Sequence, residues 1–191
     1  VHLPGRAEPD WTTEIDPSLT VLKAMRHSRK LRRGASSGNA FRLVIRELDG
    51  DPAELAARLK LVAAAGVPNY FGEQRFGREG DNAARGMAWM RGEAPAPREP
   101  FLRKLWVSAA QSELFNRYLS TRVADGLLGR YVPGDLAARH PGGRAWAIDP
   151  AEAQGRYDAR ECSATGPLFG ASMPQAEGEA LAREESVFAA S

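Results

Sequence analysis

From Gly66 to Gly77 the chain reads GVPNYFGEQRFG, twelve residues that hold the amides Asn69 and Gln74, the guanidinium of Arg75, the aromatics Tyr70, Phe71 and Phe76, and three glycines. The apolar positions follow neither the period of 2 of a strand nor the 3.6 of a helix, so core packing does not explain their spacing. Some other demand must hold this segment in an irregular path. Upstream lies RHSRKLRRGASSGNAF, Arg26 to Phe41, with a different chemistry. Between Pro17 and Arg46 there is no Asp or Glu, while Lys23, Arg26, Arg29, Lys30, Arg32, Arg33, Arg42 and Arg46 supply positive charge. The net charge of the whole chain is only +2. A basic block on an otherwise acidic body is the electrostatic footprint of a polyanion partner, and a solvated cationic face is the plainer alternative.

The elements that must position these residues are legible in outline. Leu19 to Ala24 alternate loosely, and Phe41, Leu43 and Ile45 share one face of a second run, so the basic loop is expected to join two strands. Ser36, Ser37, Gly38 and Asn39 form its tip, where glycine allows close backbone approach. By residue type alone Asn39 reads as a turn residue and Phe41 as core. Asp51, Pro52 and Glu54 then announce a helix that Gly66 stops, with Leu55, Leu59, Val62 and Ala63 as its expected buried stripe. The irregular segment therefore begins where that helix ends.

Beyond Gly77 the pattern is largely helical. Asp81 is placed to cap a short helix carrying Met87 and Trp89, and the Pro-containing stretch 93–100 leads into a long one with Leu105, Ala109, Phe115, Leu119 and Val123 at helical spacing. Residues 131–148, punctuated by Gly and Pro, read as short strands and loops. Asp149, Pro150 and Glu152 repeat the cap signature, and a last helix is expected over 174–190. The fold class expected is α+β.

Composition narrows the function classes. A chain of 191 residues with 43% hydrophobic content can bury an ordinary core in one large domain or two small ones. It has no run of 18 apolar residues, and its first residues resemble no signal peptide. The single cysteine, Cys162, forms no internal disulfide, and no Cys/His cluster has metal-ligand spacing. These features point to a cytoplasmic protein without a metal. A phosphate-cradling Gly loop and a DNA-recognition helix are both missing from the pattern.

Together GVPNYFGEQRFG and RHSRKLRRGASSGNAF closely resemble signature motifs of the tRNA pseudouridine synthase D (TruD) family. The likeness continues, in the family's order, through LWVSAAQSELFNRYLSTR, GDLAARHPGGRAW and SATGPLFG, and so spans essentially the whole chain. It implies that residues 1–70 are part of a pseudouridine-synthase-type mixed sheet domain. Residues 71–191 would form a mostly helical TRUD insertion domain, incomplete at its C-terminus. The implied activity is isomerisation of uridine to pseudouridine in tRNA, at position 13, with no cofactor. A flipped uridine enters a pocket, an aspartate carboxylate acts at the glycosidic bond, and the base rotates and rejoins through carbon. Extrusion costs a few kcal/mol, of which stacking on an aromatic ring returns roughly 1–3 kcal/mol.

The resemblance gives Phe41 the stacking role, with Asn39 bonding near the base, both on the family's Gly-Asn-x-Phe element. Core packing remains the alternative for Phe41. Asn69, Tyr70, Gln74 and Arg75 become substrate-binding candidates, although Tyr70, Phe71 and Phe76 would serve equally well to lock a junction between domains. Arg26, Arg29, Lys30, Arg32 and Arg33 become RNA-backbone contacts, which position RNA without reading its sequence. Arg103, Lys104 and Arg144 are secondary basic candidates.

One family element has no match. The nucleophile belongs to a Gly-x-Lys-Asp-x-x-Ala segment, and none of the nine aspartates follows a lysine. In the family that segment precedes the region matched here, and the chain begins with Val1 instead of methionine. No catalytic residue is therefore expected within the chain, and the nucleophilic aspartate is expected upstream of Val1. The expected reading is an internal fragment of a synthase, with a catalytically inactive RNA-binding module of the same fold as the alternative.

The basic block yields a direct test. With about four of its cations on phosphates, the slope of log K against log salt for tRNA binding is expected near roughly −3. Replacing Arg29, Lys30, Arg32 and Arg33 by alanine should flatten the slope with the fold intact. An unchanged slope would move the RNA surface elsewhere.

Overall fold

The computed structural model describes residues 40–140 and 142–191. Two units separate along the chain, residues 1–50 and Asp51–Ser191. Of the first unit, Ala40 to Gly50 are described. They are exposed, and Phe41, Leu43 and Ile45 form no strand. A strand exists only through its ladder of hydrogen bonds, and no described strand pairs with these residues. Val1, the expected strand over Leu19–Ala24, the cations Lys23 to Arg33 and the loop tip with Asn39 lie outside the described residues.

In the Asp51–Ser191 unit local chemistry starts the helices. Helix α1 spans Pro52–Ala65, with Asp51 accepting a hydrogen bond from the Ala53 N–H at 2.9 Å and Pro52 in the first turn. Glu54 does not complete a capping box, because its carboxylate pairs with Arg58 one turn on. The apolar stripe is also not buried: Leu59 and Val62 are exposed and Leu55 only half-covered. Helical spacing fixes which residues share a face, but not whether a partner covers it. Among the described residues, the notable hold on α1 is Arg160, a non-glycine residue at φ 57°, whose guanidinium donates to the carbonyls of Ala63 and Ala64.

Helix α2, Asn82–Met90, follows Asp81, whose carboxylate turns to Arg85 at 2.6 Å instead of capping. Helix α3, Pro100–Ala124, is the longest element among the described residues and carries α2 along one side. Their close approach depends on Gly86, where an added Cβ would collide with the Trp106 carbonyl. On α3, Ala109 and Leu119 are buried, Leu105 and Phe115 half-buried, and Val123 exposed. The helix ends in a Schellman motif. Gly126 sits at φ 72°, Leu127 N–H donates to the Arg122 carbonyl at 2.7 Å, and Gly126 N–H to that of Val123 at 3.1 Å.

Strand β1, Leu136–Arg139, is the centre of an antiparallel sheet ordered β2–β1–β3, where β2 is Trp146–Ala147 and β3 is Cys162–Ala164. Ala137 lies opposite Trp146 on one side and Ala164 on the other. Between β2 and β3 runs α4, Pro150–Asp158, capped by Asp149 on the Ala151 N–H at 2.9 Å. Ala153 and Tyr157 of α4 close a small core with Ala137, Ile148 and Cys162. Helix α5, Gly178–Ala189, begins four residues later than expected, because the Gly134 carbonyl takes the Glu177 N–H while Val132, Ala176 and Ala180 pack together. The architecture is α+β.

Where α3, the following loop and β1 meet, Arg122 and Asp135 form a buried bidentate ion pair at 2.6 and 3.1 Å. Arg122 also donates to the Tyr118 hydroxyl and to the carbonyls of Leu127 and Arg130, and Asp135 accepts the Val132 N–H. Removing one member leaves an uncompensated buried charge, so Asp135→Ala is expected to cost about 3–5 kcal/mol in urea denaturation. Replacing Arg122 and Asp135 together by Met and Leu should cost less.

Glu184 on α5 gives a second prediction. It is buried, and one carboxylate oxygen has no hydrogen-bond partner. Burial, and then the negative charge of Asp135, push its pKa from 4.5 up to about 7. The unfolded chain therefore loses this proton first as pH rises. Stability should fall between about pH 4.5 and 7 and level off above that, by on the order of 3 kcal/mol. Glu184→Gln should abolish that part of the pH dependence, and equal slopes for the two proteins would refute the assignment.

Candidate functional site

The irregular segment begins at Gly66, which ends α1 at φ 79° with its N–H on the Val62 carbonyl at 2.8 Å. Pro68 then accepts from the Tyr70 N–H at 3.1 Å, which places Asn69 at the apex of a three-residue turn. A 3-10 turn, Glu73–Phe76, follows Gly72. Asn69 and Gln74 are exposed, Tyr70 partly so, and Phe71, Arg75 and Phe76 are half-buried.

What replaces strand or helix bonding is a set of side chains on one face of α3. Asn116 brackets the backbone of Phe71: its Oδ1 accepts the Phe71 N–H and its Nδ2 donates to the Phe71 carbonyl, each at 2.9 Å. The Tyr70 hydroxyl lies 3.2 Å from Ser120 Oγ, and Arg75 donates to Ser108 Oγ at 3.1 Å. The Phe71 ring meets Phe115 edge to face at 5.3 Å, with the Arg75 guanidinium 5.1 Å from the Phe71 ring centre. Ser108, Phe115, Asn116 and Ser120 recur at the spacing of one helix face.

Phe71, Gly72, Gln74 and Arg75 of the segment, with Leu105 of α3, line an open recess of about 450 Å³. Its lining includes an aromatic ring, an amide and a guanidinium, residue types that can hold a planar polar ligand by hydrogen bonding and stacking. Of the residues expected to bind substrate, Gln74 and Arg75 meet at this recess. Asn69 is exposed on the neighbouring turn, and Tyr70 is tied to α3. Phe41 belongs to the first unit and is 80% exposed. Asn39 and the basic residues Arg26, Arg29, Lys30, Arg32 and Arg33 lie outside the described residues, as does Val1, ahead of which the nucleophile is expected.

Sequence reasoning missed Ser108, Asn116 and Ser120. A polar row on a long helix ordinarily reads as its solvated face, and only the partner's path reveals otherwise.

The described aspartates are mostly committed elsewhere. Asp51 and Asp149 cap helices, Asp81 pairs with Arg85, Asp125 with Arg183 and Asp135 with Arg122, and Asp158 accepts from Gln154. No described group of three or more His, Cys, Asp or Glu is arranged to hold a metal ion, and no described helix is long and apolar enough to cross a membrane.

Comparison with known proteins bears on the same residues. The family model described as tRNA pseudouridine synthase D (TruD) matches residues 5–96 and 93–191. The chain is 45% identical over 197 residues to tRNA pseudouridine synthase D of Stutzerimonas stutzeri, covering 99% of this chain and 55% of that protein. It is 39% identical over 189 residues to the protein of the same name from Hydrogenovibrio crunogenus, covering 98% and 54%. For the Thermus thermophilus counterpart the figures are 45% over 172 residues, covering 90% and 48%. The chain thus spans about half the length of the curated relatives it matches. A crystal structure of a TruD protein from Methanosarcina mazei superposes with a TM-score of 0.63 at 21% identity, over 76% of this chain and 52% of that one, a likeness of fold.

Proposed function

This chain belongs to the tRNA pseudouridine synthase D family, and from that premise we propose that it is the part of a tRNA pseudouridine synthase that receives the target uridine. The protein containing it isomerises uridine to pseudouridine in tRNA, at position 13, without a cofactor. Residues 1–70 belong to the catalytic domain and 71–191 to the insertion domain.

The observation that carries this reading is the Asn69–Arg75 segment. Its backbone is held by α3 while Asn69 and Gln74 stay exposed and Arg75 lines an open recess. A base displaced from its stack needs such a place, with hydrogen-bonding groups fixed before it arrives. Asn69, Gln74 and Arg75 bind the RNA around the target, Asn39 bonds near the flipped base, and Phe41 stacks on it. Tyr70 serves a mixed role, its hydroxyl tied to Ser120. Arg26, Arg29, Lys30, Arg32 and Arg33 contact phosphates. The exposed aromatic ring of Phe41 is consistent with a stacking platform.

The nucleophilic aspartate is supplied from outside this chain, upstream of Val1. No Lys-Asp pair occurs in it, and the described aspartates named above already serve as caps, as ion-pair partners or, for Asp158, as acceptor for Gln154.

Tritium release from tRNA labelled at uridine C5 tests the reading. A protein of the relatives' length is expected to release tritium, and this chain alone is expected to release none. Turnover by the chain alone would place the nucleophile among its nine aspartates. Salt-sensitive tRNA binding by the longer protein without turnover would favour an RNA-binding module and overturn the activity.

A further inference from the structure

We infer that Asn116 is a positioning residue for the reaction, acting through the backbone of Phe71 on Asn69 and on the 3-10 turn that carries Gln74 and Arg75; this rests on the activity proposed above.

The geometry is specific to a carboxamide. The Phe71 N–H belongs to the peptide plane shared with Tyr70, and the Phe71 carbonyl to the plane shared with Gly72. A group that accepts from the first and donates to the second, each at 2.9 Å, fixes the backbone on both sides of one residue. Among neutral side chains of this reach, the amide of asparagine supplies both atoms at the required separation.

The two planes lead in opposite directions to the exposed groups. Upstream, one residue separates Phe71 from Asn69, whose turn closes through the Tyr70 N–H on the Pro68 carbonyl. Downstream, the Gly72 carbonyl accepts the Arg75 N–H at 2.9 Å and starts the 3-10 turn. Rotation at Phe71 would therefore displace Asn69 and Gln74 together. Misplacement of reacting groups by about 1 Å costs on the order of 10²-fold in rate. Asn116 itself is half-buried against the segment and touches neither exposed amide through any hydrogen bond.

The test uses the full-length synthase carrying Asn116→Ala or Asn116→Asp, with tRNA turnover and hydrogen exchange at the Phe71 amide as readouts. Asn116→Ala should lower kcat by on the order of 10²-fold and raise KM for tRNA far less, because phosphate contacts made elsewhere carry most of the affinity and the main loss is of alignment. Its Phe71 amide should lose protection. Asn116→Asp separates the two bonds, because a carboxylate can accept from the Phe71 N–H but cannot donate to the Phe71 carbonyl. The amide should stay protected while kcat falls. Protonating that carboxyl restores the donor, so the activity of this variant relative to the parent should rise as pH is lowered, and a purely structural role would not produce such a profile. Asn116→Asp carries the test alone if the alanine variant fails to fold. A parent without turnover overturns the activity reading and this assignment with it. An active parent equalled in kcat by Asn116→Asp at every pH, or variants that raise KM and leave kcat intact, overturn the assignment alone.

Discussion

The ion pair between Arg122 and Asp135 is the constraint around which the Asp51–Ser191 unit is organised. Its charges come from two elements, the last turn of α3 and the residue before β1, and both are almost wholly removed from water. Such a pair is weak evidence for net stability, since desolvation offsets most of the attraction. Its value here lies in direction. One guanidinium collects the Asp135 carboxylate, the Tyr118 hydroxyl and the carbonyls of Leu127 and Arg130, so the loop that leaves α3 can take few other paths. The Schellman turn at Gly126 starts the reversal, and Arg122 fixes where it goes. From that point β1 enters as the central strand of the sheet, and α5 lies against α3.

With its C-terminal end fixed in this way, α3 can serve two partners at once. Along one side small residues let α2 approach until backbone nearly meets backbone at Gly86. Ser108, Phe115, Asn116 and Ser120 hold the segment from Tyr70 to Arg75. An irregular segment leaves peptide groups without ladder or helix partners, and these must be met by something. At Phe71 the side chain of Asn116 takes the place of a neighbouring strand.

The features legible in the sequence were those whose cause is local. Asp51 and Asp149 cap helices because the cap acceptor and its N–H lie two residues apart, and the long helix, the irregular path of the GVPNYFGEQRFG segment and the short strands of 131–148 follow from periodicity and turn residues. The features not legible depend on partners distant in the chain. Nothing local says that Leu59 and Val62 of α1 stay exposed, that Cys162–Ala164 adds a strand, or that Arg122 finds Asp135. Even the caps were partly misjudged: Glu54 and Asp81 prefer an arginine four residues on, which competes with the backbone for the same carboxylate. In the candidate site, Asn69, Gln74 and Arg75 stood out by type, whereas Asn116 was hidden among the polar residues of a helix.

That asymmetry has a physical origin in how a binding segment must be built. Residues that meet a ligand have to remain exposed, so their own contacts cannot fix them, and the constraint must come from neighbours that do not touch the ligand. In Tyr70-Phe71 the ring of Phe71 and its peptide groups face α3, and in Gln74-Arg75 the guanidinium is shared between Ser108 and the Phe71 ring. The aromatic content that makes the segment conspicuous is thus largely its anchorage. The amides of Asn69 and Gln74 are what this anchorage leaves exposed.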